Sequence, residues 1–424
     1  MTLRGLAGAL SLIVRRNLAQ HALSTTITAF ASALGCGLVI AVVGVRDQAH
    51  DAFVGGPVGF DAVLGARGSQ LQLVLNTVFH LETSPGNIPW SMYESIRKDP
   101  QVELAIPYAV GDNYQGWRIV GTTPEIFTRF EYRKGRRFQT QPGGRFFDPA
   151  LREAVVGSLV AQRTGMRVGT TFHPSHGVVS GDADWHAEEY VVVGVMEPTN
   201  SPSDRVIWIP IEGIFRMGGH VLHGEGEAYH PKPGEPIPEE AKEVSAVMLK
   251  LRTPMAGFRL DQAINRQGSE ATFAWPIGKS LSELFEKLGW MDRVLALVAW
   301  LVMGVAAASI LAALYNAMNE RRRDFAILRA LGAKRRVVFS AIVLESTAIA
   351  ALGAAGGVGL SFGLMAGAAR VVRTQTGVVL DVFAFHPALV LAPAVMIALG
   401  ALAGIVPAVK AYRTPVAENL VPQS

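Results

Sequence analysis

Four long apolar segments constrain the fold of this chain more than any other feature of its sequence. They are residues 22–45, 294–318, 337–369 and 387–409. Three of them contain no Asp, Glu, Lys or Arg, and the remaining one contains only Glu345. Because a spanning helix needs about 20 apolar residues, each segment is long enough to cross a bilayer. The sequence therefore predicts four membrane helices, with one large external domain, residues 46–293, placed after the first.

Composition agrees with a membrane-embedded chain that also carries a globular domain. Only 17% of the 424 residues are charged, against about 25% in a soluble protein. The segment 22–45 exceeds the roughly 7–15 apolar residues of a cleaved secretory signal, so we expect an anchored helix. Cys36 is the single cysteine, which excludes an intrachain disulfide. The external domain must therefore be stabilised by its own core.

The distribution of Lys and Arg predicts the orientation of these helices, because short cytoplasmic loops carry an excess of both residue types. Basic residues concentrate near the N-terminus, in the 319–336 loop and in the tail: Arg4, Arg15, Arg16, Arg321, Arg322, Arg323, Arg329, Lys334, Arg335, Arg336, Lys410 and Arg413. The loop 370–386 carries only Arg370 and Arg373. We therefore expect both termini and the 319–336 loop in the cytoplasm, and residues 46–293 and 370–386 outside it.

Residues 46–293 have the pattern of a mixed α+β domain. Runs of β-branched and aromatic residues bounded by turn residues predict strands over 154–157, 189–195, 205–210 and 244–251. Helices are predicted over 90–98, 123–130, 157–165 and 258–266. The stretch 216–243 is rich in Gly, Pro, His and Glu, which indicates a long loop.

Two catalytic motifs are excluded. Gly278-Lys279-Ser280 resembles the end of a phosphate-binding loop, but Phe273 occupies the position of the first glycine, which that loop requires for its backbone cradle. The Gly-x-Ser-x-Gly pattern occurs once, at residues 359–363, but it lies inside the third apolar segment and not at the strand-to-helix turn that the elbow of serine hydrolases requires. We therefore expect no catalysis by this chain alone.

Histidines concentrate between residues 173 and 230. The candidate ligands are His173, His176, His186, His220 and His223. Acidic residues lie among them, and imidazole with carboxylate suits zinc, nickel or copper. No pair has the spacing of a recognised zinc motif, and a His-rich tract is only a compositional signal. Two hypotheses stay open: a metal site, with zinc as its ion, or a polar loop whose histidines are solvated.

The sequence predicts a short amphipathic helix in the 319–336 loop. Phe325, Leu328 and Leu331 recur at helical spacing and form one face, and Gly332 is a natural helix end. Its basic residues would suit a helix that lies on anionic lipid. They would equally suit a helix that docks into a cytoplasmic partner, and the pattern by itself does not separate the two hypotheses.

The same loop resembles the signature of the FtsX-like/MacB-like permease family. Residues 319–333 are Asn-Glu-Arg-Arg-Arg-Asp-Phe-Ala-Ile-Leu-Arg-Ala-Leu-Gly-Ala. The family pattern is Glu-Arg-x-x-Glu, an apolar stretch and Ala-Leu-Gly-Ala, and Asp324 departs from it in place of the second Glu. The stretches 12–45, 155–170, 191–198 and 412–420 also resemble family segments. The resemblance covers both ends of the chain well and the external domain in patches.

This resemblance implies a non-catalytic permease that works with a separate ATP-hydrolysing subunit. Family members form dimers, so we expect a dimeric ABC ATPase partner and a homodimer or paired permease. The resemblance makes 319–332 the coupling helix held by the ATPase, through Glu320, Arg321, Arg322, Asp324, Phe325, Leu328, Arg329, Leu331 and Gly332. Apart from the zinc hypothesis, no cofactor is expected on this chain, and ATP and Mg²⁺ belong to the partner.

The third apolar segment contains a stripe of small residues. Gly359, Gly363 and Gly367 recur at every fourth position, a spacing that lets membrane helices approach closely. We expect this stripe to pack against another helix of the same chain rather than at a dimer seam.

These observations lead to one principal hypothesis and two rivals. The principal one is a bacterial inner-membrane permease that converts ATP-driven motion into movement of its periplasmic domain, exporting or extracting a substrate. Its parts would be residues 1–45, an amphipathic helix and the first span; 46–293, a MacB-like domain; and 294–424, an FtsX-like permease domain. The rivals are a transmembrane regulator of a periplasmic hydrolase or a sensor, and a transporter that handles metal or metal chelates. A periplasmic adaptor or outer-membrane duct would complete an export path. The lipid bilayer would surround the spans, and we expect no nucleic acid as a partner.

Overall fold

A computed structural model of the protein describes residues 3–51, 59–177, 185–320, 327, 329 and 333–413. Its helices are α1 (Leu3–Gln20), α2 (Ala22–His50), α3 (Gln70–Thr77), α4 (Trp90–Arg97), α5 (Glu125–Thr128), α6 (Ser158–Thr164), α7 (Ile211–Phe215), α8 (Pro254–Asp261), α9 (Ile277–Glu320), α10 (Arg335–Thr376) and α11 (Ala388–Arg413). Its strands are β1 (Ala62–Ala66), β2 (Ile88–Pro89), β3 (Val102–Tyr114), β4 (Trp117–Thr122), β5 (Glu153–Val156), β6 (Thr171–Phe172), β7 (Ser175–His176), β8 (Tyr190–Val195), β9 (Ile207–Pro210), β10 (Glu243–Val244), β11 (Ala246–Leu251) and β12 (Ala271–Ala274).

Four of the described helices are long and apolar enough to cross a membrane. The spans are Ala22–His50, Gly289–Met318, Arg335–Thr376 and Ala388–Tyr412. The prediction of four membrane helices with a mixed α/β domain after the first is confirmed. The second span lies inside the longer helix α9, which already begins at Ile277. The sequence pattern missed this N-terminal extension because charged residues interrupt its apolar character.

The chain divides into two compact units. The helical unit comprises Met1–Ala49, Leu288–Arg370 and Leu380–Ser424. The second unit, which we call the inserted domain, comprises His50–Lys287 and Val371–Val379.

All four spans contribute side chains to one apolar core of the helical unit. Its buried members are Cys36, Val39, Ile40, Ala299, Met303, Ala306, Ile310, Leu314, Ile349, Ala350, Ala354, Ala392 and Met396. Five of these core residues are alanine, and small residues let membrane helices approach closely. Glu345 on α10 is buried and accepts a hydrogen bond from Asn17 Nδ2 at 3.0 Å, so this intramembrane carboxylate has a polar partner within the unit.

Helices α2 and α10 come close together at Gly357. A Cβ atom at this position would lie 2.8 Å from the Cys36 Cβ and 2.9 Å from the Ala33 carbonyl oxygen. Backbone atoms cannot move aside as a flexible side chain can, so any larger residue would push the two helices apart.

The glycine stripe that was expected to pack within the chain lies on another face of α10. A Cβ atom at Gly359, Gly363 or Gly367 would meet no described atom within 4 Å. Two residues along an α-helix correspond to a rotation of about 200°, so a stripe that starts at Gly359 faces away from the side that Gly357 presents to α2. Within the described part of the chain, the predicted packing of this stripe is therefore wrong.

The inserted domain is built on one ten-stranded mixed sheet, in the order β12, β1, β11, β3, β4, β9, β5, β8, β6, with β7 paired to β3. Pairs β4–β9 and β5–β8 are parallel, and the other pairs in the sheet are antiparallel. Successive residues of a strand point to opposite faces. On β9, Ile207 and Ile209 pack into one apolar layer and Trp208 into the other, so the sheet is covered on both sides.

The predicted strands correspond to β5, β8, β9 and β11, and that prediction is confirmed. Strands β1, β3, β4 and β12 were not predicted. β3 contains Pro107, Gly111 and Asn113, residue types that normally mark turns. The predicted helices correspond to α4, α5, α6 and α8 with the π-helical turn Gln262–Gln267.

The long loop predicted over 216–243 is largely irregular, and it is anchored to the domain. Leu222, Ile237 and Ala241 from this loop are buried in the apolar layer that also contains Ile207. These anchors hold the loop, and with it His220, against the sheet.

Candidate functional site

A buried carboxylate lies near the end of β3. The Asp112 side chain is fully buried, and Asp112 pairs directly with His176 on the short strand β7. Three imidazole nitrogens surround one of its oxygens. Asp112 Oδ1 lies 3.1 Å from His186 Nε2, 3.3 Å from His220 Nε2 and 3.3 Å from His176 Nδ1. We call these four residues the His-Asp cluster.

Local structure orients two of the three rings. His186 Nδ1 lies 2.8 Å from the Gly218 carbonyl oxygen, and His220 Nδ1 lies 2.9 Å from the Ile214 carbonyl oxygen. A carbonyl only accepts hydrogen bonds, so each Nδ1 carries the proton. Nε2 faces Asp112 in both residues: it donates a hydrogen bond to the carboxylate when the ring is protonated, and it carries the lone pair when the ring is neutral.

The third ring approaches along the edge of β3. His176 presents Nδ1 to Asp112, and its side chain is 41% exposed, whereas that of His186 is 2% exposed. Gly219 has a positive φ of 86°, and a Cβ atom there would lie 3.1 Å from His176 Nε2. Glycine adopts this backbone conformation without strain and leaves room for the ring. The cluster is therefore closed on the His186 side and open on the His176 side.

A carboxylate behind the cluster fixes the backbone that holds His186. Glu188 Oε1 accepts a hydrogen bond from the Gly218 N–H at 3.0 Å. The carbonyl oxygen of Gly218 in turn accepts a hydrogen bond from His186 Nδ1. Glu188 Oε2 and Asp112 Oδ2 are both buried and have no hydrogen-bond partner among the described residues. Buried carboxylate oxygens without partners are unusual.

The cluster shifts the pKa values of its own members. Burial raises the pKa of the Asp112 carboxyl, but hydrogen bonds from His186 and His220 outweigh burial, and the pKa falls to about 2. Burial lowers the pKa of His220, and its hydrogen bond to Asp112 outweighs that effect, so the pKa of His220 is raised. The carboxylate is therefore ionised at neutral pH.

The structure corrects the set of candidate ligands. It brings together His176, His186 and His220, but not His173 or His223. The His173 Nδ1 atom lies 3.2 Å from the Glu188 carbonyl oxygen. His223 is exposed, whereas the preceding residue, Leu222, is buried. The fourth member, Asp112, was missed, although an acidic residue within a mostly apolar stretch is a signal that could have drawn attention to it.

His80 provides a pH-dependent contribution to stability near this site. Burial, then the positive charges of Arg118 and Arg205, lower the pKa of its ring to about 3, from 6.5. The folded state keeps the ring neutral, while the unfolded chain binds a proton below pH 6.5. The contribution of His80 to the free energy of unfolding is therefore fully present above pH 6.5. It is lost as the pH falls below 6.5, by about 1.4 kcal/mol per pH unit.

We expect His80→Asn to flatten this pH dependence between pH 6 and pH 4.5. Asn tolerates the positive φ of 55° at this position and does not titrate. Urea unfolding of the full-length protein in detergent, followed by tryptophan fluorescence at several pH values, measures the slope. Equal slopes for the two proteins would contradict the assignment to His80.

Most residues assigned to the coupling helix lie outside the described residues. These are Arg321, Arg322, Asp324, Phe325, Leu328, Leu331 and Gly332. Glu320 is the last residue of α9. Arg329 is helical and partly buried, and the neighbouring Ile327 is exposed. The docking role of this segment therefore stays a prediction.

Two family models match this chain, and together they span most of it. A model described as the MacB-like periplasmic core domain matches residues 25–256. A second, described as the FtsX-like permease C-terminal domain, matches residues 296–416. The first match alone covers more than half of the chain.

Two solved structures are also similar. The periplasmic region of MacB from Actinobacillus actinomycetemcomitans is 9% identical, covers 54% of this chain and 94% of its own, and has a TM-score of 0.33. The extracellular domain of the noncanonic ABC-type transporter YknZ from Gram-positive bacteria is 13% identical, covers 50% of this chain and 97% of its own, and has a TM-score of 0.29. The family assignment rests on the two models, whose matched ranges agree with the inserted domain and the last three spans. The chain belongs to the FtsX-like permeases with a MacB-like periplasmic core domain.

Proposed function

We propose that this chain is the permease subunit of an ABC transporter and that a separate ATPase drives it. The observation that carries the proposal is the pair of family matches, arranged around four apolar helices. The chain itself would be non-catalytic. ATP and Mg²⁺ would be bound by a dimer of the partner ATPase, and the permease would act as a homodimer or with a second, related permease.

The proposed location is a bacterial inner membrane, with both termini in the cytoplasm. The basic residues at the N-terminus, in the 319–336 loop and after α11 support this orientation, because such residues are retained on the cytoplasmic side. The inserted domain would then lie in the periplasm.

The helices favour transmission of motion over a channel for a soluble substrate. Glu345 is the only Asp, Glu, Lys or Arg in the four apolar segments, and it is buried, so the sequence offers no polar path across the membrane. Helix α9 carries Ile277 and Leu281, which are buried in the core of the inserted domain, and it ends at Glu320, where the predicted coupling segment begins. In the proposed mechanism, displacement of that segment by the ATPase tilts the spanning helices and changes the shape of the inserted domain.

The substrate would be exported or extracted on the periplasmic side, with a periplasmic adaptor or outer-membrane duct as further partners. The rival function is regulation of a periplasmic hydrolase, or sensing, by the same motion. Both functions require the ATPase, and they differ in the protein that meets the inserted domain.

Purification of the tagged full-length protein in mild detergent, with mass spectrometry of every co-purifying chain, tests the proposal. We expect an ABC ATPase in near-stoichiometric amount. An adaptor in the same complex would support export, and a hydrolase would support regulation. A stable complex without an ATPase would contradict the proposed function.

A further inference from the structure

We propose that the His-Asp cluster is a binding site for one divalent transition-metal ion of the zinc class, held by Asp112, His176, His186 and His220. This inference rests on the geometry of the inserted domain and is independent of the proposed transport function.

The spacing of the ligand atoms fits a small tetrahedral site. Bonds from Zn²⁺ to imidazole nitrogen or carboxylate oxygen are about 2.0–2.1 Å, so the edges of the tetrahedron are about 3.3–3.4 Å. The three distances from Asp112 Oδ1 to the histidine nitrogens are 3.1, 3.3 and 3.3 Å. All four ligand atoms lie within 4.8 Å of one another, so a modest inward movement of the rings would complete the coordination.

The hydrogen bonds behind the ligands are those that metal-binding histidines use. A histidine ligand almost always donates its other ring N–H to a carbonyl or carboxylate, which fixes the ring and its tautomer. His186 donates Nδ1–H to Gly218 and His220 donates Nδ1–H to Ile214. Glu188 in turn holds the Gly218 N–H. The rings are therefore oriented by the protein backbone rather than by Asp112 alone.

The ligand set selects the class of ion. Three imidazoles and one carboxylate suit zinc and its neighbours, whereas calcium and magnesium prefer oxygen ligands. The carboxylate would supply one of the four ligand atoms through Oδ1, the oxygen that the three rings surround. Exposure of His176 provides a route by which the ion can enter.

The ion would connect segments that are far apart in sequence. It would join β3 to β7, to the segment at His186 and to the loop that contains His220, which is separated from Asp112 by 108 residues. Binding to the folded state alone stabilises it by mass action, so zinc would tighten the loop 216–243 against the sheet.

Zinc titration of the full-length protein in detergent tests this proposal. The protein is first stripped with EDTA and dialysed, and Zn²⁺ binding is then measured in competition with a chromophoric chelator. We expect one ion per chain. His186→Gln and His220→Gln should each weaken binding more than about 100-fold, and Glu188→Gln should weaken it about 10–100-fold, the usual effect of losing an outer-shell partner.

The matched control is the double variant His173→Gln/His223→Gln, which removes two nearby histidines that lie outside the cluster. It should bind Zn²⁺ like the unmodified protein. Asp112→Asn retains the shape of the side chain and should still weaken binding, which guards against misfolding of the histidine variants. Urea midpoints measured in EDTA show whether each variant is folded, and Co²⁺ substitution should give the visible spectrum of a tetrahedral site.

Three outcomes would overturn the proposal. The first is no stoichiometric Zn²⁺ binding by the stripped protein. The second is equal loss of binding in the control and in the cluster variants. The third is unchanged binding in folded His186→Gln, His220→Gln and Asp112→Asn, which would leave the three rings as hydrogen-bond partners of Asp112 only.

Discussion

The double variant Phe325→Asp/Leu328→Asp is expected to lose its ATPase partner while remaining inserted in the membrane. Both side chains belong to the apolar face predicted for the 319–332 helix. Loss of an apolar anchor at the centre of an interface costs about 2 kcal/mol or more per residue, and an unpaired carboxylate placed there adds a desolvation penalty. Two such losses correspond to at least about a 1,000-fold decrease in affinity.

Quantitative pull-down from membranes, together with ATPase activity of the isolated complex, measures this effect. Lys334→Asp is the matched control, because it places the same acidic side chain at an exposed position just beyond the predicted helix. It should retain most of the partner. If the double variant binds its ATPase as the unmodified protein does, the coupling assignment is wrong, whereas the family membership of the chain would stand.

Replacement of Gly357 by valine is expected to cause a large loss of stability in the helical unit. The new Cβ would lie 2.8 Å from the Cys36 Cβ and 2.9 Å from the Ala33 carbonyl oxygen, and the two additional methyl groups need further space. Overpacking of this kind costs about 1–3 kcal/mol, and more where the backbone must move. We therefore expect a lower melting temperature of the detergent-solubilised protein and a reduced yield of the folded form.

Gly363→Val is the control for this variant, since it makes the same substitution on the same helix. A Cβ atom at Gly363 meets no described atom within 4 Å, so the fold of the single chain should tolerate it. Thermal unfolding followed by size-exclusion chromatography compares the two proteins. A larger loss in Gly363→Val than in Gly357→Val would contradict the packing described for α2 and α10.

Much of the architecture could be predicted from the sequence, because it depends on local properties. An apolar run such as 387–409 satisfies its backbone hydrogen bonds as a helix and needs no partner to be recognised. Strands β8 and β9 were equally clear from their β-branched and aromatic residues. Strand β3 was missed because Pro107, Gly111 and Asp112 interrupt its apolar pattern, and only pairing with β4 and β11 on either side stabilises it as a strand.

The members of the candidate site, in contrast, were identified mainly from the tertiary structure. Histidine content between residues 173 and 230 suggested a metal site, but the sequence did not distinguish His220 from His223. The His220 ring is held by the Ile214 carbonyl oxygen, whereas His223 comes directly after the buried Leu222 and lies outside the cluster. The glycine stripe was also misjudged from local sequence. Its spacing is suited to close packing, but it lies on a face of α10 that is turned away from α2.

The sequence by itself determined four apolar spans, the position of the large domain between the first two of them, and the resemblance of the 319–333 loop to a permease signature. These properties are encoded in contiguous residues. Only the tertiary structure decided that Asp112 meets His176, His186 and His220, and that Gly357 rather than Gly363 packs against a neighbouring helix. Such contacts join residues separated by many positions in the chain, and they depend on sheet register, loop anchoring and helix rotation, which no local pattern specifies.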